Sequence, residues 1–155
     1  MMLKIGIISD THGSLNPAIK RLFQGVDRIL HGGDVGMPRV ISALEEIAPV
    51  TAVMGNTDAG MDFKETELIH LAGKKFLLHH IVEVAAPAES LQRRIQAEES
   101  DVVVFGHTHR RFCESVGTTL FLNPGYAGRP RLNLVRSVAI LTCGENRIEA
   151  EFVDL

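Results

Sequence analysis

The sequence predicts an α/β sandwich with mixed sheets, from two observations about the order of its segments. In the first half of the chain, short apolar runs alternate with helical segments, whereas the second half consists mainly of strand-like runs. Alternating strands and helices favour parallel strands, and a following series of strands adds antiparallel ones. The 155 residues contain no internal repeat, low-complexity segment or linker, so we expect a single domain over residues 1–155.

The first half is predicted to supply three strands and two helices. Asn16 and Pro17 form an N-cap and first-turn pair for a helix that reaches about Gln24. Pro38 begins a second helix, in which apolar residues recur at helical spacing as far as Ile47. The predicted strands, each a short apolar run, are residues 3–8, 28–31 and 50–54.

The second half is predicted to contain six more strands, of which the first two form a hairpin. Residues 68–71 and 75–78 flank Ala72-Gly73-Lys74, which is typical of a hairpin turn. One further helix is expected over residues 89–99, with Leu91 and Ile95 facing inward. The remaining strands are expected at residues 102–105, 118–122 and 137–141, with a last strand that follows a turn at 144–146 and extends through 153.

The composition excludes several classes of protein. A net charge of −3 without a long basic run argues against nonspecific nucleic-acid binding. Cys113 and Cys143 have neither metal nor redox spacing, so a disulfide scaffold is not expected. No apolar stretch is long enough to span a membrane, and the chain begins directly with a strand, so we expect a cytoplasmic protein. Self-association into a homo-oligomer stays open.

Polar residues that can bind metal follow six apolar strands at the point where each strand ends. In α/β folds, ligands gather at the carboxyl ends of strands, where short loops converge. One such segment alone would be a weak signal, but six in order predict a shared site. The segments are Asp10-Thr11-His12, His31-Gly32-Gly33-Asp34, Gly55-Asn56-Thr57-Asp58, His79-His80, Gly106-His107-Thr108-His109 and Asn123-Pro124-Gly125.

Five of these blocks resemble the signature of the calcineurin-like metallophosphoesterases, and the short chain is similar to their small prokaryotic phosphodiesterase subfamily. The resemblance implies a four-layered α/β sandwich of two mixed β-sheets flanked by helices. It also implies hydrolysis of phosphodiester bonds in a small-molecule phosphoester, with a metal-bridging hydroxide as the nucleophile. The blocks are Asp10-Thr11-His12, Gly33-Asp34, Gly55-Asn56, His79 and Gly106-His107-Thr108-His109.

The resemblance further implies two metal ions that share Asp34. One ion would be held by Asp10, His12, Asp34 and His109, and the other by Asp34, Asn56, His79 and His107. Asn56 is also a candidate to bind substrate. Mixed imidazole, carboxylate and amide ligands suit divalent transition metals, so we expect Mn²⁺ first, with Fe, Co²⁺, Ni²⁺ and Zn²⁺ left open.

Three positions depart from the pattern of the family. Thr57 stands where many relatives carry a histidine that protonates the leaving group, and Asp58 keeps the carboxylate that would orient it. His80 replaces a glycine; strand alternation predicts that it points away from the metals, with a role toward substrate as the alternative. Tyr126 stands where a serine is common and is expected to shape the pocket.

Several alternatives remain open at this level. A phosphomonoesterase acting on a small phosphorylated metabolite is the second enzymatic interpretation, and a non-catalytic interaction scaffold of the same fold is the third. A nuclease is disfavoured by the net negative charge. Arg129 and Arg131 follow a turn near the expected site, and they are interpreted as solvated charges, with phosphate binding as the alternative.

Overall fold

A computed structural model describes residues 2–155 and contains ten strands and three helices in that range. Among the residues described, no helix combines the length and the apolar composition needed to cross a membrane. The elements in chain order are β1 (Leu3–Ile8), α1 (Ile19–Leu22), β2 (Arg28–His31), α2 (Pro38–Glu45), β3 (Val50–Ala52), β4 (Thr66–Leu71), β5 (Lys74–His79), α3 (Glu89–Ala97), β6 (Val102–Val104), β7 (Phe112–Val116), β8 (Thr119–Asn123), β9 (Ser137–Gly144) and β10 (Arg147–Asp154).

The strands form two mixed sheets of five strands each. The first has the order β10-β9-β1-β2-β3, in which β1, β2 and β3 run parallel and β9 and β10 pair antiparallel. The second has the order β4-β5-β6-β8-β7, in which β5, β6 and β8 run parallel and the edge strands β4 and β7 pair antiparallel. In each sheet the parallel strands therefore lie at the centre or on one side, and their carboxyl ends share one edge.

Three apolar clusters divide the molecule into four layers. The first lies between the two sheets and includes Ile7 of β1 and Leu78 of β5. The second packs α1 and α2 against the outer face of the first sheet, and the third packs α3 against the outer face of the second. The order helix–sheet–sheet–helix confirms the predicted four-layered α/β sandwich, and apolar burial on both faces of each sheet explains why the central strands are apolar throughout.

Two elements differ most from the predicted ones. The first helix is only Ile19–Leu22, because the turns on either side close with bonds to the third residue back, such as Ile19 N–H to the Asn16 carbonyl. Asn16 nevertheless caps this turn, since its Oδ1 accepts the Ala18 N–H at 2.9 Å. Strand β7 was not predicted: its residues after Phe112 are exposed, so the chain carries no apolar run there.

Candidate metal centre

The polar loops after β1, β2, β5 and β6 meet at one end of the two sheets, as the sequence predicts. Backbone hydrogen bonds hold the loops together: the Asp10 N–H donates to the Gly33 carbonyl at 3.0 Å and the Gly106 N–H to the His80 carbonyl at 3.0 Å. The first bond joins loops of one sheet and the second joins loops of the other. Side chains from distant parts of the sequence are thereby brought to one place.

Two clusters of metal-binding side chains form at this end. Asp10, His12 and His109 make one cluster, and Asp34, His80 and His107 make the other. In the first, Asp10 Oδ1 lies 3.4 Å from His109 Nε2 and 3.7 Å from His12 Nε2. Asn56 adjoins the second, because its Oδ1 lies 3.1 Å from His107 Nδ1. The clusters group the residues as the sequence predicts, except that the second contains His80 in place of His79.

Asp34 faces both clusters with a single oxygen. Its Oδ2 lies 3.2 Å from His80 Nε2 in one cluster and 3.7 Å from His12 Nε2 in the other. Its second oxygen, Oδ1, accepts the backbone N–H of Thr57 at 3.0 Å. The hydrogen bond fixes the carboxylate so that only Oδ2 is directed into the space between the clusters.

Two buried atoms in this space lack a hydrogen-bond partner, Asp10 Oδ1 and His80 Nε2. The other oxygen of Asp10 is satisfied, because it accepts from Ser9 Oγ at 2.7 Å and from the His107 N–H at 3.1 Å. The other ring nitrogen of His80 lies 2.7 Å from the Gly32 carbonyl and donates to it. Unpartnered buried polar atoms are rare in native proteins, and here they are a carboxylate oxygen and an imidazole nitrogen, the donors that transition metals bind. The residues therefore fit a metal site.

The structure brings His80, and not His79, to the second cluster. The expectation that His80 points away from the site is wrong. Strand alternation holds on β5, but the face was misassigned: Leu78 points between the sheets and His80 follows it on that side, whereas Leu77 packs under α3. His79 shares the outer face with Leu77, and its Nδ1 lies 2.8 Å from the hydroxyl of Thr66 on the paired strand.

The backbone is in the left-handed region at five of the clustered residues. Positive φ is uncommon for residues other than glycine, and it persists only where the surrounding structure imposes it. Here it turns each side chain out of its strand direction and toward the common space. The five residues are Asp10 (φ 56°), His12 (φ 46°), Asp34 (φ 55°), His107 (φ 72°) and His109 (φ 61°).

Two glycines allow the carboxylates to sit this close to neighbouring loops. A Cβ at Gly55 would lie 2.1 Å from Asp34 Oδ1 and 2.2 Å from Asp34 N. A Cβ at Gly106 would lie 2.4 Å from Asp10 Oδ2. Any side chain at either position would displace a carboxylate, so the glycines that precede Asn56 and His107 are needed for close approach.

Asp58 supports the site from behind without facing it. Its side chain is buried, and it accepts the backbone N–H groups of Val35 at 3.1 Å, Gly36 at 2.9 Å and Gly55 at 2.9 Å. These bonds tie the loop after β2 to the loop after β3. The structure therefore gives Asp58 a positioning role toward the loop that carries Asp34.

His31 also supports the loop. Its Nδ1 accepts the Gly33 N–H at 3.1 Å, and its Nε2 lies 3.0 Å from the Thr11 hydroxyl. Complete burial lowers the pKa of His31 to about 3, so the ring is neutral and Nε2 carries the proton that it donates. His31 therefore supports the loop that carries Asp34 and lies outside both clusters, whereas His70 lies exposed on β4.

Burial and local hydrogen bonds together set the pKa values of the clustered residues. Burial raises the pKa of Asp10, although the nearby His80 and the hydrogen bond from Ser9 act in the opposite direction. It lowers the pKa of His109. For Asp34, burial would raise the pKa, but hydrogen bonds from Thr57 and the nearby histidines hold it below its usual value. The two carboxylates are thus buried where no Lys or Arg pairs with them within 4 Å among the residues described, and a bound cation would supply the missing charge.

Tyr126 forms a wall of the first cluster, in line with its predicted role in shaping the pocket. Its ring centroid lies 4.8 Å from that of His109 and 6.2 Å from that of His12. Asn123, from the last polar segment, does not join either cluster. Its side-chain amide donates to the carbonyl of Gly106 and to the hydroxyl of Thr108, both at 3.1 Å, and so supports the loop that carries the last two histidines.

Sequence reasoning missed two features of this site. One is Ser9, whose hydroxyl fixes Asp10; a serine before an aspartate carries no signal of its own. The other is His80. Residues 76–78 of β5 and 102–104 of β6 are all apolar, so the sequence alone does not say which face of either strand is inward. In the structure, the pairing of Leu78 with Val104 inside the central cluster places His80 between the sheets.

Comparison with known proteins identifies close relatives over nearly the whole chain. The family model described as "Calcineurin-like phosphoesterase superfamily domain" matches residues 3–146. A probable metallophosphoesterase of Methanothermobacter thermautotrophicus is 34% identical over 96% of this chain and 91% of its own length. A phosphodiesterase of Methanocaldococcus jannaschii is 32% identical over 79% of this chain and 83% of its own length.

Solved structures share the fold. A predicted phosphoesterase of Streptococcus pneumoniae superposes with a TM-score of 0.80 at 25% identity, covering 99% of this chain and 90% of that one. Vps29 of Entamoeba histolytica, solved in complex with Zn²⁺, superposes with a TM-score of 0.74 at 26% identity, covering 98% of this chain and 99% of that one.

Proposed function

The chain belongs to the calcineurin-like phosphoesterase superfamily, and from that membership we propose that it hydrolyses phosphodiester bonds with two bound divalent metal ions. The observation that carries the proposal is the pair of clusters that share Asp34 Oδ2, with Asp10 Oδ1 and His80 Nε2 left without other partners. Two cations held side by side would repel each other, and the negative charge of Asp34, which faces both clusters, would offset that repulsion.

We assign the ligands of the two ions as follows. Asp10, His12 and His109 would hold the first, and His80, His107 and Asn56 would hold the second, with Asp34 between them. His80 replaces His79 in this assignment because only His80 lies beside Asp34. The ions, when bound, supply the positive charge that acidifies water, orients a phosphate group and neutralises charge in the transition state. The mixed N and O donors favour Mn²⁺, Fe, Co²⁺, Ni²⁺ or Zn²⁺, and we take Mn²⁺ as the first candidate.

Water, and not a side chain, is the nucleophile in this proposal. Two hydroxyl groups beside the clusters, those of Ser9 and Thr11, are buried and already committed. Ser9 Oγ donates to Asp10, and Thr11 Oγ1 donates to the Val35 carbonyl while it accepts from His31. Neither could attack phosphorus without breaking the hydrogen bonds that position the ligands.

The absence of an acid at Thr57 favours diesters over monoesters as substrates. Threonine has no useful pKa near neutrality, and Asp58 is occupied with three backbone N–H groups. Because His80 lies in the metal cluster, it is not free to take the role of the acid. General acid catalysis contributes about 10²–10⁴-fold, so esters with poor leaving groups should be slow. The small-molecule substrate is therefore proposed to be a phosphodiester with a good leaving group.

Two other functions remain as alternatives. A phosphomonoesterase would use the same centre on a different ester. A non-catalytic scaffold is the second, because a protein named for vacuolar sorting shares this fold. Turnover measurements distinguish both alternatives from the proposal: a phosphomonoesterase would prefer monoesters, and a scaffold would hydrolyse no ester.

The proposal is tested by activity after chelation and reloading with single metals. The purified protein should hydrolyse 4-nitrophenyl diesters with Mn²⁺ and should turn over alkyl monoesters far more slowly. Asp34→Asn, which replaces the shared carboxylate by a neutral amide, should remove nearly all turnover and lower the bound metal. Metal-independent turnover, or a preference for alkyl monoesters, would contradict the proposal. Tightly bound metal with no turnover of any ester would favour the scaffold.

A further inference from the structure

A cation lies on the aromatic wall of the metal centre. The guanidinium carbon of Arg131 is 5.2 Å from the centroid of the Tyr126 ring, which in turn lies 4.8 Å from the ring of His109. Arg131 is exposed and follows the turn at Asn123-Pro124-Gly125 by a few residues. The two contacts place its charge one ring away from a candidate metal ligand.

The Tyr126 ring is a fixed platform for this cation. Its side chain is only 1% exposed, and its carbonyl accepts the Ser137 N–H at 2.9 Å. Gly128 passes directly beside the phenol, because a Cβ at that position would lie 2.5 Å from the Tyr126 hydroxyl oxygen. A cation stacked on a ring held in this way keeps a defined position.

The N–H groups of Arg131 have no partner among residues 2–155. No carboxylate lies within 4 Å of its guanidinium, and its side chain makes no hydrogen bond within that range. Arg111 provides the contrast: it lies over the Phe152 ring at 5.5 Å, but its Nη1 binds Asp154 at 2.8 Å. Arg131 therefore has the same stacking contact with its donors left free. A guanidinium with a stacked face and free edges can bind a phosphate or carboxylate through two parallel hydrogen bonds.

Arg131 lies beside the first cluster, because its guanidinium is stacked on the Tyr126 ring, which in turn adjoins the ring of His109. Among residues 2–155 the guanidinium stacks on Tyr126 and forms no hydrogen bond with a candidate ligand, so the scissile phosphate at the metals would not be the primary partner of Arg131. A second anionic group on the same substrate would lie nearer.

We propose that Arg131, stacked on Tyr126, binds a second anionic group of the substrate, so that preferred substrates are phosphodiesters whose retained alcohol carries a phosphate or carboxylate. The inference rests on the proposed function. The retained alcohol is specified because Thr57, where related enzymes protonate the leaving group, adjoins the other cluster through its neighbour Asn56. Arg131 lies on the side of His109 and His12.

The test uses two diesters with the same leaving group and nearly the same size. Propyl 4-nitrophenyl phosphate has a neutral retained alcohol, and 2-carboxyethyl 4-nitrophenyl phosphate has an anionic one. Arg131→Ala should raise KM for the carboxyethyl ester about 10-fold or more, the value of a charge-assisted hydrogen bond, and should leave kcat and the propyl ester unchanged. Arg131→Lys keeps the charge but not the planar stack, and should restore only part of the difference.

Arg129→Ala is the matched control, since Arg129 is exposed on the same loop and does not stack on the Tyr126 ring. It should leave both esters as in the wild type. An equal loss on both esters with Arg131→Ala, or no loss on either, would overturn the inference.

Binding of phosphonates to the Mn²⁺-loaded protein separates this inference from the proposed function. Dissociation constants are measured by calorimetry for propylphosphonate and 2-carboxyethylphosphonate. If the wild type hydrolyses neither ester but Arg131→Ala still weakens only the carboxyethyl compound, the anion site stands and the proposed activity fails. If Arg131→Ala binds both phosphonates like the wild type, the anion site is refuted whatever the activity.

Discussion

The two ends of the parallel strands use left-handed backbone for different reasons. At the amino ends, a hairpin turn joins β4 to β5, and Ala72 (φ 51°) and Gly73 (φ 76°) adopt the positive angles that a two-residue turn requires. At the carboxyl ends, positive φ occurs at carboxylate and imidazole residues of the two clusters, such as Asp10 and His107. The first use follows from local chain reversal. The second directs candidate ligands into a common space, and strain of that kind is typical of functional sites.

The carboxylates of the two ends differ in the same way. At the amino ends, Asp27 is exposed and accepts one backbone N–H, that of Lys4, at 2.8 Å. At the carboxyl ends, Asp58 is buried and accepts three. Both carboxylates fix the backbone through hydrogen bonds, but only Asp58 holds loops that carry candidate ligands. Paired substitutions at the two ends can therefore separate what the fold needs from what the site needs.

The largest difference in kcat/KM between the two ends is expected from a pair of glycine substitutions, Gly55→Ala and Gly73→Ala. Gly55→Ala places a Cβ 2.1 Å from Asp34 Oδ1, so the carboxylate or its loop must move. A displacement of about 1 Å can reduce a rate by about 10²-fold, and we expect at least that loss of kcat/KM together with loss of metal. Gly73→Ala has open space around it and suffers only from its φ of 76°, which costs about 1–2 kcal/mol of stability.

Kinetics and thermal unfolding of both variants check this comparison. Gly73→Ala should keep wild-type kcat/KM despite its lower stability. Gly55→Ala with wild-type kcat/KM and wild-type metal content would show that the close approach at Asp34 is not needed.

A smaller difference, in the free energy of unfolding, is expected between Asp58→Asn and Asp27→Asn. In Asp58→Asn the amide has one acceptor oxygen for three N–H groups and turns an NH₂ toward one of them, which should cost about 1–3 kcal/mol of the free energy of unfolding. Asp27→Asn keeps an oxygen for Lys4 and is exposed, so it should cost less than about 0.5 kcal/mol.

Denaturant unfolding with metal titration measures both effects. Asp58→Asn should also weaken metal binding, because its loop carries Asp34, while Asp27→Asn should not. Equal stability losses in the two variants, with equal metal affinity, would remove the distinction between the two ends.

The fold and the location of the site could be predicted from the sequence, because they depend on repeated local signals. Apolar runs followed by polar blocks occur six times, and their order determines which loops meet. The short first helix and strand β7 were harder to predict from the sequence, since the helix ends in tight turns and the strand is exposed after Phe112. The cytoplasmic location stays a prediction from the sequence, and the oligomeric state stays open.

The choice between His79 and His80 could not be made from local signals. It depends on which face of β5 lies between the sheets, and the apolar residues before the pair occupy both faces. Only the pairing of β5 with β6 resolves it, and that contact is long-range. The two histidines are adjacent in sequence and opposite in direction, so they form a matched pair for testing the centre itself.

The metal content of His80→Ala and His79→Ala tests the proposed dinuclear centre most directly. Each variant and the wild type are loaded with Mn²⁺, dialysed and analysed for bound metal per chain. The wild type and His79→Ala should retain two ions, because His79 contacts Thr66 on the outer face, whereas His80→Ala should retain no more than one. Two ions in His80→Ala together with loss of an ion in His79→Ala would contradict the assignment.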